Sequence, residues 1–315
     1  MLGNFLHNPA VSVIMPVFNC EEYVQNAIES VISQSFTDFE FIIVDDASSD
    51  KSAEIILSFQ DPRINFVRLE KNIGPGPARN IGIDLAKGEW GAFIDADDAW
   101  DKKRLEKLIH LGKMNPRSFV ADDLLMCLSG KSNDFLPYTT FFKKIGLKRF
   151  FRESDVSLIT PLNFIRYALG LIHPLVPMNI IKKSNIRFAD LRRNQDMEFF
   201  MQLFKHKLQL FVLNEPLYIY RVTHKATSDS EKYLQVLLAY EYLLQDNDYD
   251  KDINKALLNK YIEVAQYGLF LVYLKEGKWK KVFRMIYSSP GIAREFLQNI
   301  PQYCLRQWVA LKNNN

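Results

Sequence analysis

Cysteine is scarce in this chain. Its 315 residues hold three, Cys20, Cys127 and Cys304, with no CxxC pair and no zinc-ligand spacing. That excludes a disulfide scaffold or a zinc module and points to free thiols in a reduced, cytoplasmic compartment. Long hydrophobic runs are also missing. Nowhere do about twenty uncharged apolar residues follow one another, and the opening MLGNFLHNPA has no basic region ahead of an apolar stretch. The sequence therefore predicts neither a membrane-spanning helix nor a secretory signal. Nor does one charge dominate: 40 Lys and Arg against 37 Asp and Glu leave a net +3, with no basic repeat, so nucleic acid is not the expected partner. Glycine and proline are unexceptional at 13 each, and 48% of residues are hydrophobic, which is enough to bury a large core in one domain or two.

What is present begins as a regular alternation. VSVIMPVF (11–18) suits a buried strand, and Asn19 with Glu22 suggests a capping box ahead of a helix from Tyr23 to Gln34. FEFIIV (39–44) is a second strand, Asp50 is placed to cap a helix from Lys51 to Phe59, and INFVRL (64–69) is a third strand. A loop and helix over GPGPARNIGIDLAKG then lead to EWGAFI, the fourth. This order predicts an α/β fold with a mostly parallel central sheet, whose ligands bind beyond the C-terminal strand edge. Asp45, Asp46 and the cluster Asp95, Asp97 and Asp98 all fall on that edge.

One aspartate at a strand end is ordinary turn chemistry. Several close together raise one another's pKa unless a cation neutralises them, and hard divalent cations favour oxygen ligands. Mg²⁺ takes one or two protein carboxylates and completes its shell with water and phosphate oxygens, which fits a nucleoside diphosphate at this edge. The loop Gly74-Pro75-Gly76-Pro77-Ala78-Arg79-Asn80 is not a dinucleotide fingerprint, because the third glycine is absent and two prolines remove backbone donors. Pro77 suits the first turn of a helix. Arg79 is either a charge-assisted contact to a carboxylate or phosphate or an ordinary surface arginine.

The segments PVFN, VDDASSD, GPARN and DADD, in this order over residues 11 to about 110, make the chain resemble the family 2 glycosyltransferases, inverting enzymes with a GT-A fold. The resemblance implies that Pro16, Val17, Phe18 and Asn19 line the nucleoside pocket, with Asp46 on the base, most often uracil. It implies that Asp95, Ala96 and Asp97 belong to a DxD-type element reaching the ribose, that Asp97 and Asp98 hold a divalent metal, Mn²⁺ or Mg²⁺, on the donor diphosphate, and that Arg79 holds Asp46 or the nucleotide. Further along, HPLVPMNIIKKSNIRFADLRRNQDMEFFMQLFKH is similar to the family's acceptor half, in which an acidic pair opens a helix. Here the pair is Gln195-Asp196. Asp196 is the expected catalytic base, or else a first-turn acid favoured by the helix dipole. His224, in LFVLNEPLYIYRVTHKATS, completes the metal shell, touches the diphosphate, or is a solvated loop histidine.

The resulting expectation is a GT-A catalytic domain over 1–228, with a nucleotide-binding half at 11–110 and an acceptor half at 111–228, followed by a C-terminal helical region, 229–315. Its substrates would be a UDP-sugar and a glycan or lipid-linked acceptor in surface polysaccharide synthesis. Basic and aromatic residues interleave from 275 onward, which suits a bundle packed on the catalytic domain or peripheral contact with the inner face of an anionic membrane. A sugar-phosphate nucleotidyltransferase would instead show a Gly-rich, Arg-containing loop where PVFN stands. A catalytically degenerate sugar-nucleotide binder is the non-enzymatic alternative, suggested by Gln195.

Overall fold

Every residue of Val11–Val17 is buried, as expected of a strand covered on both faces. In the computed structural model, which describes residues 8–129, 135–151, 154–191, 195–222, 229–246 and 248–288, this segment is β1. It is followed by α1 (Val24–Ile32), β2 (Phe39–Asp45), α2 (Ser52–Ser58), β3 (Ile64–Arg68), α3 (Pro75–Leu85) and β4 (Trp90–Phe93). β1 pairs in parallel with β2 and β4, and β2 in parallel with β3. The register sets Val17 beside Asp45 and Ile14 beside Phe93. The acidic ends of β2 and β4 therefore flank the end of β1 on one sheet edge.

The chain then runs through β5 (Ala99–Trp100), α4 (Arg104–Met114), β6 (Ser118–Ser129), β7 (Phe135–Thr140), α5 (Phe141–Lys144), β8 (Val156–Ile159) and α6 (Pro161–Arg166). After these come β9 (Leu175–Pro177), α7 (Met178–Lys183), α8 (Gln195–Lys205) and β10 (Gln209–Val222). The sheet order is β3-β2-β1-β4-β9-β6-β10-β5, with β7 beside β6 and β8 beside β10. β9 joins antiparallel to β4, and β5 antiparallel to β10, so the second half joins the parallel half through a strand of opposite sense. Aromatic packing fastens α8 to the sheet: Phe93 meets Phe188 and Phe199 edge-on, and Phe119 packs against Phe200 and Phe204.

α1 buries Val24, Ala27, Ile28 and Val31, the i, i+3, i+4, i+7 face of an amphipathic helix. Its entry differs from the capping box expected of Asn19 and Glu22. Tyr23 and Val24 donate their N–H groups to the Cys20 carbonyl at 3.0 and 2.9 Å, while Asn19 takes a left-handed φ of 48°. The Asn19 side chain instead accepts from the Ser49 N–H at 2.8 Å, a partner after β2 that local spacing does not reveal. Asp50 accepts from the Ser52 N–H at 2.9 Å, but α2 begins at Ser52, so the N-cap position falls to Lys51, which makes no side-chain cap bond.

Contacts divide the chain into two compact units, Met1–Cys127 with Pro137–Arg221, and Leu128–Leu136 with Val222–Asn315. The second contains α9 (Asp229–Leu244), α10 (Lys251–Lys275) and α11 (Trp279–Ser288). Tyr267, Phe270 and Val282 form its buried cluster, with Met285 packed against it. The other face of α11 exposes Trp279, Phe283 and Tyr287, spaced by four residues, beside exposed Lys280, Lys281 and Arg284. Among the described residues no helix is long and apolar enough to cross a membrane.

Candidate active site

β4 stops where its backbone turns through the acidic cluster: the Ile94 N–H still donates to Ile14, and the Asp98 N–H closes on the Asp95 carbonyl at 3.1 Å. One carboxylate oxygen from each of Asp95, Asp97 and Asp98 lies within 4.8 Å of the others. The protein treats the three differently. Asp95 is held on both oxygens: Oδ1 accepts from Arg79 Nη2, and Oδ2 lies 3.4 Å from His173 Nε2. Burial alone would raise its pKa, but the charges of Arg79 and His173 hold it well below the ordinary value. Asp98, 1% exposed, accepts from the Tyr218 hydroxyl on Oδ2 and the Arg221 N–H on Oδ1, each at 2.7 Å. Burial, then Asp97 and Asp95, push its pKa well up.

Asp97 is left over. Among the described residues no other residue donates to its carboxylate; Arg221 Nε bonds only its carbonyl, at 2.8 Å. Burial and the neighbouring Asp95 push its pKa up to about 6. A carboxylate half-buried among other carboxylates, with no side-chain donor among the described residues, is a ready oxygen ligand for a hard divalent ion.

Beneath the turn lies a chain of buried polar groups. Arg104 and Asp122, both 0% exposed at the side chain, pair at 2.8 Å. Arg104 also donates to the His173 carbonyl at 2.6 Å and lies over the rings of Trp100 and Tyr218, 4.6 and 5.1 Å from their centroids. The His173 imidazole stacks on Tyr218 with centroids 4.3 Å apart and planes 9° from parallel. Tyr218 in turn accepts the Asp95 N–H at 3.1 Å. Its hydroxyl stays protonated, because burial and then Asp98 raise its pKa well above the ordinary range, which is why it donates to Asp98.

Arg79, 3% exposed, reaches Asp95 from α3 with its guanidinium 5.3 Å from the Phe188 ring. Asp196 stands in the first turn of α8. Burial raises its pKa, the charges of Arg79 and His173 oppose that rise, and Asp95 adds to it. α3 approaches the segment before α8 at backbone distance: a Cβ on Gly76 would lie 2.6 Å from the Ala189 carbonyl, and 2.4 Å from the Gln195 side-chain oxygen Oε1 at the start of α8. Asn80 fastens the approach by exchanging two 2.9 Å hydrogen bonds with the Phe188 backbone.

At the other side of β1, Asp46 is 2% exposed and accepts from the N–H groups of Ile73 and Gly74 at 2.7 and 2.8 Å, holding the loop before α3. Asp45 accepts from the Ser48 N–H at 3.1 Å and pairs with Arg68 Nε at 3.2 Å. The side chains of Pro16, Val17 and Ala96 are buried, whereas those of Phe18 and Asn19 are exposed at the strand end. The structure thus places Arg79 on Asp95, not on Asp46. His224 lies outside the described residues. Sequence reasoning missed His173, Tyr218 and Arg221. The last two carry a faint signal, polar or aromatic residues at the end of a strand running back toward the acidic turn; a lone histidine before Pro174 carries none.

The profile of Glycosyl transferase family 2 matches residues 12–167. The chain is 31% identical over 250 residues to an uncharacterized glycosyltransferase of Methanocaldococcus jannaschii, covering 76% of this chain and 80% of the relative. It is 29% identical over 227 residues to TuaG of Bacillus subtilis, a glycosyltransferase whose name places it in teichuronic acid biosynthesis, covering 71% and 83% of the two. Among solved structures, TarS 1-349 of S. aureus in complex with UDP superposes with a TM-score of 0.58 at 25% identity, covering 80% of this chain and 72% of that one.

Proposed function

Because this chain belongs to glycosyl transferase family 2, we propose that it moves a sugar from a UDP-sugar to a hydroxyl of a glycan or lipid-linked acceptor, with inversion, in surface polysaccharide synthesis. The observation that carries the reading is the division of labour among three carboxylates: among the described residues, two are braced by other residues and Asp97 is not. In this reading Asp97 meets a divalent Mn²⁺ or Mg²⁺, Asp95 takes the ribose, and Asp98 holds the turn. Phe18, Asn19 and the backbone around Asp46 receive the base. The ion, when bound, neutralises negative charge on the departing diphosphate.

Asp196 is the base. One of its oxygens takes the proton of the acceptor hydroxyl, whose oxygen attacks the anomeric carbon from the side opposite the diphosphate. The bond from that carbon to the diphosphate oxygen breaks, and its electron pair leaves with UDP. Arg79 supports this chemistry by opposing the rise that burial imposes on the Asp196 pKa, which favours the charged form of the carboxylate. The exposed basic and aromatic face of α11 is the proposed contact with the inner face of an anionic membrane.

The test is a thermal-shift and transfer screen over nucleotide sugars with and without Mn²⁺. UDP-sugar at a hundred times its Kd raises stability by about 2.7 kcal/mol. That gain should need the ion and vanish in Asp97→Asn. A shift indifferent to both EDTA and Asp97→Asn sinks the metal assignment, and a larger shift with GDP- or CDP-sugars sinks the choice of uridine.

A further inference from the structure

We propose that His173 is a positioning residue which, together with Arg79, clamps Asp95 in the orientation that meets the donor's ribose; this rests on the ribose role given to Asp95 above. His173 is 4% exposed, yet among the described residues neither ring nitrogen has a hydrogen-bond partner of good geometry. A buried polar group left in that state costs free energy and calls for a reason. Packing alone does not call for nitrogen at this position, since a stack on Tyr218 needs only a flat ring. What a phenyl ring lacks is a nitrogen 3.4 Å from Asp95 Oδ2.

The placement of that nitrogen is itself over-determined. The Tyr218 ring fixes the imidazole plane, and Arg104, anchored by Asp122, fixes the backbone through the His173 carbonyl at 2.6 Å. Asp95, by contrast, is 32% exposed at its side chain, and a carboxylate's terminal torsion is broad and roughly two-fold. Arg79 alone holds one oxygen. His173 approaches the other from the segment before β9, so two contacts from separate elements hold the carboxylate plane against rotation. The remaining lone pairs then face the open side of the site, where paired ribose hydroxyls would be received.

The experiment is calorimetry of UDP and 2′,3′-dideoxy-UDP, with Mg²⁺, on the unmodified chain and on Asp95→Ala, His173→Phe and His173→Gln. The unmodified chain should bind UDP about tenfold tighter than the dideoxy analogue, the worth of a charge-assisted hydrogen bond. Asp95→Ala should bind both alike. His173→Phe should close most of that gap by weakening UDP alone, and His173→Gln, which keeps an N–H donor, should recover part of it. A merely structural role would weaken both ligands together, and that result overturns the proposal. So does a full gap in His173→Phe alongside its loss in Asp95→Ala, which leaves the ribose role of Asp95 standing. A full gap in Asp95→Ala removes the ribose role itself, and the clamp with it. Circular dichroism reports folding; if His173→Phe does not fold, His173→Leu takes its place with the same criteria.

Discussion

At the scale of single residues, the unbraced Asp97 makes a prediction of opposite sign to most active-site mutations. Its pKa is raised from the ordinary 3.8 to about 6 in the folded chain, so folding is opposed by its ionisation. The penalty is absent below the unfolded value, grows as pH rises between the two, and is complete above about 6. Asp97→Asn should therefore stabilise the metal-free protein at pH 7.5, on the order of 1–2 kcal/mol after allowing for solvent, and flatten that pH dependence in thermal melts, while abolishing stabilisation by Mn²⁺. Asp196 gives a kinetic prediction. Asp196→Asn should cut kcat about a hundredfold or more with UDP affinity nearly unchanged. The acid limb of the rate profile should lie above the ordinary aspartate value, since burial raises this carboxyl, and Gln195→Glu should move it higher by adding a like charge.

At the scale of elements, the close approach of α3 to the segment before α8 is tested by Gly76→Ala. The added methyl would stand 2.6 Å from a backbone carbonyl, which cannot swing aside as a side chain does. A loss of about 1–3 kcal/mol in denaturant melts is expected, together with weaker UDP binding, because Arg79 rides on the same helix. α11 yields a separate expectation. Trp279→Ala with Phe283→Ala should release the protein from anionic vesicles in flotation, salt should release it partly, and neutral vesicles should hold it poorly. A chain that never floats with anionic vesicles has no membrane face on α11. The elements of the first half were readable because each is a local pattern: continuous apolar strands, a four-position helical face on α1, proline at the start of α3. The entry to α1 was misread because Asn19 found its partner at Ser49, across the sheet edge.

At the scale of the whole molecule, the parallel half and its acidic edge were legible, and the bracing of that edge was not. Asp95, Asp97, Asp98 and Arg79 could be named as candidates from the residues themselves, and Asp196 from the resemblance to the family. His173, Tyr218 and Arg221 acquire their roles only when β9 and β10 lie beside the first half, and nothing in their immediate neighbours encodes that arrival. The same separation bears on how the chain acquires its site. Tyr218 and Arg221 stand 120 and 123 positions from Asp98, and closing loops of that length is slow. During synthesis, which proceeds from the N-terminus, the acidic turn is complete well before Tyr218 and Arg221, which anchor Asp98, have been made. Until they dock, it is a knot of like charges held apart by water. The catalytic edge is therefore the last part of this unit to lock, and in pulse-labelled hydrogen exchange the Arg221 amide, bonded to Asp98, should gain protection only in the final refolding phase.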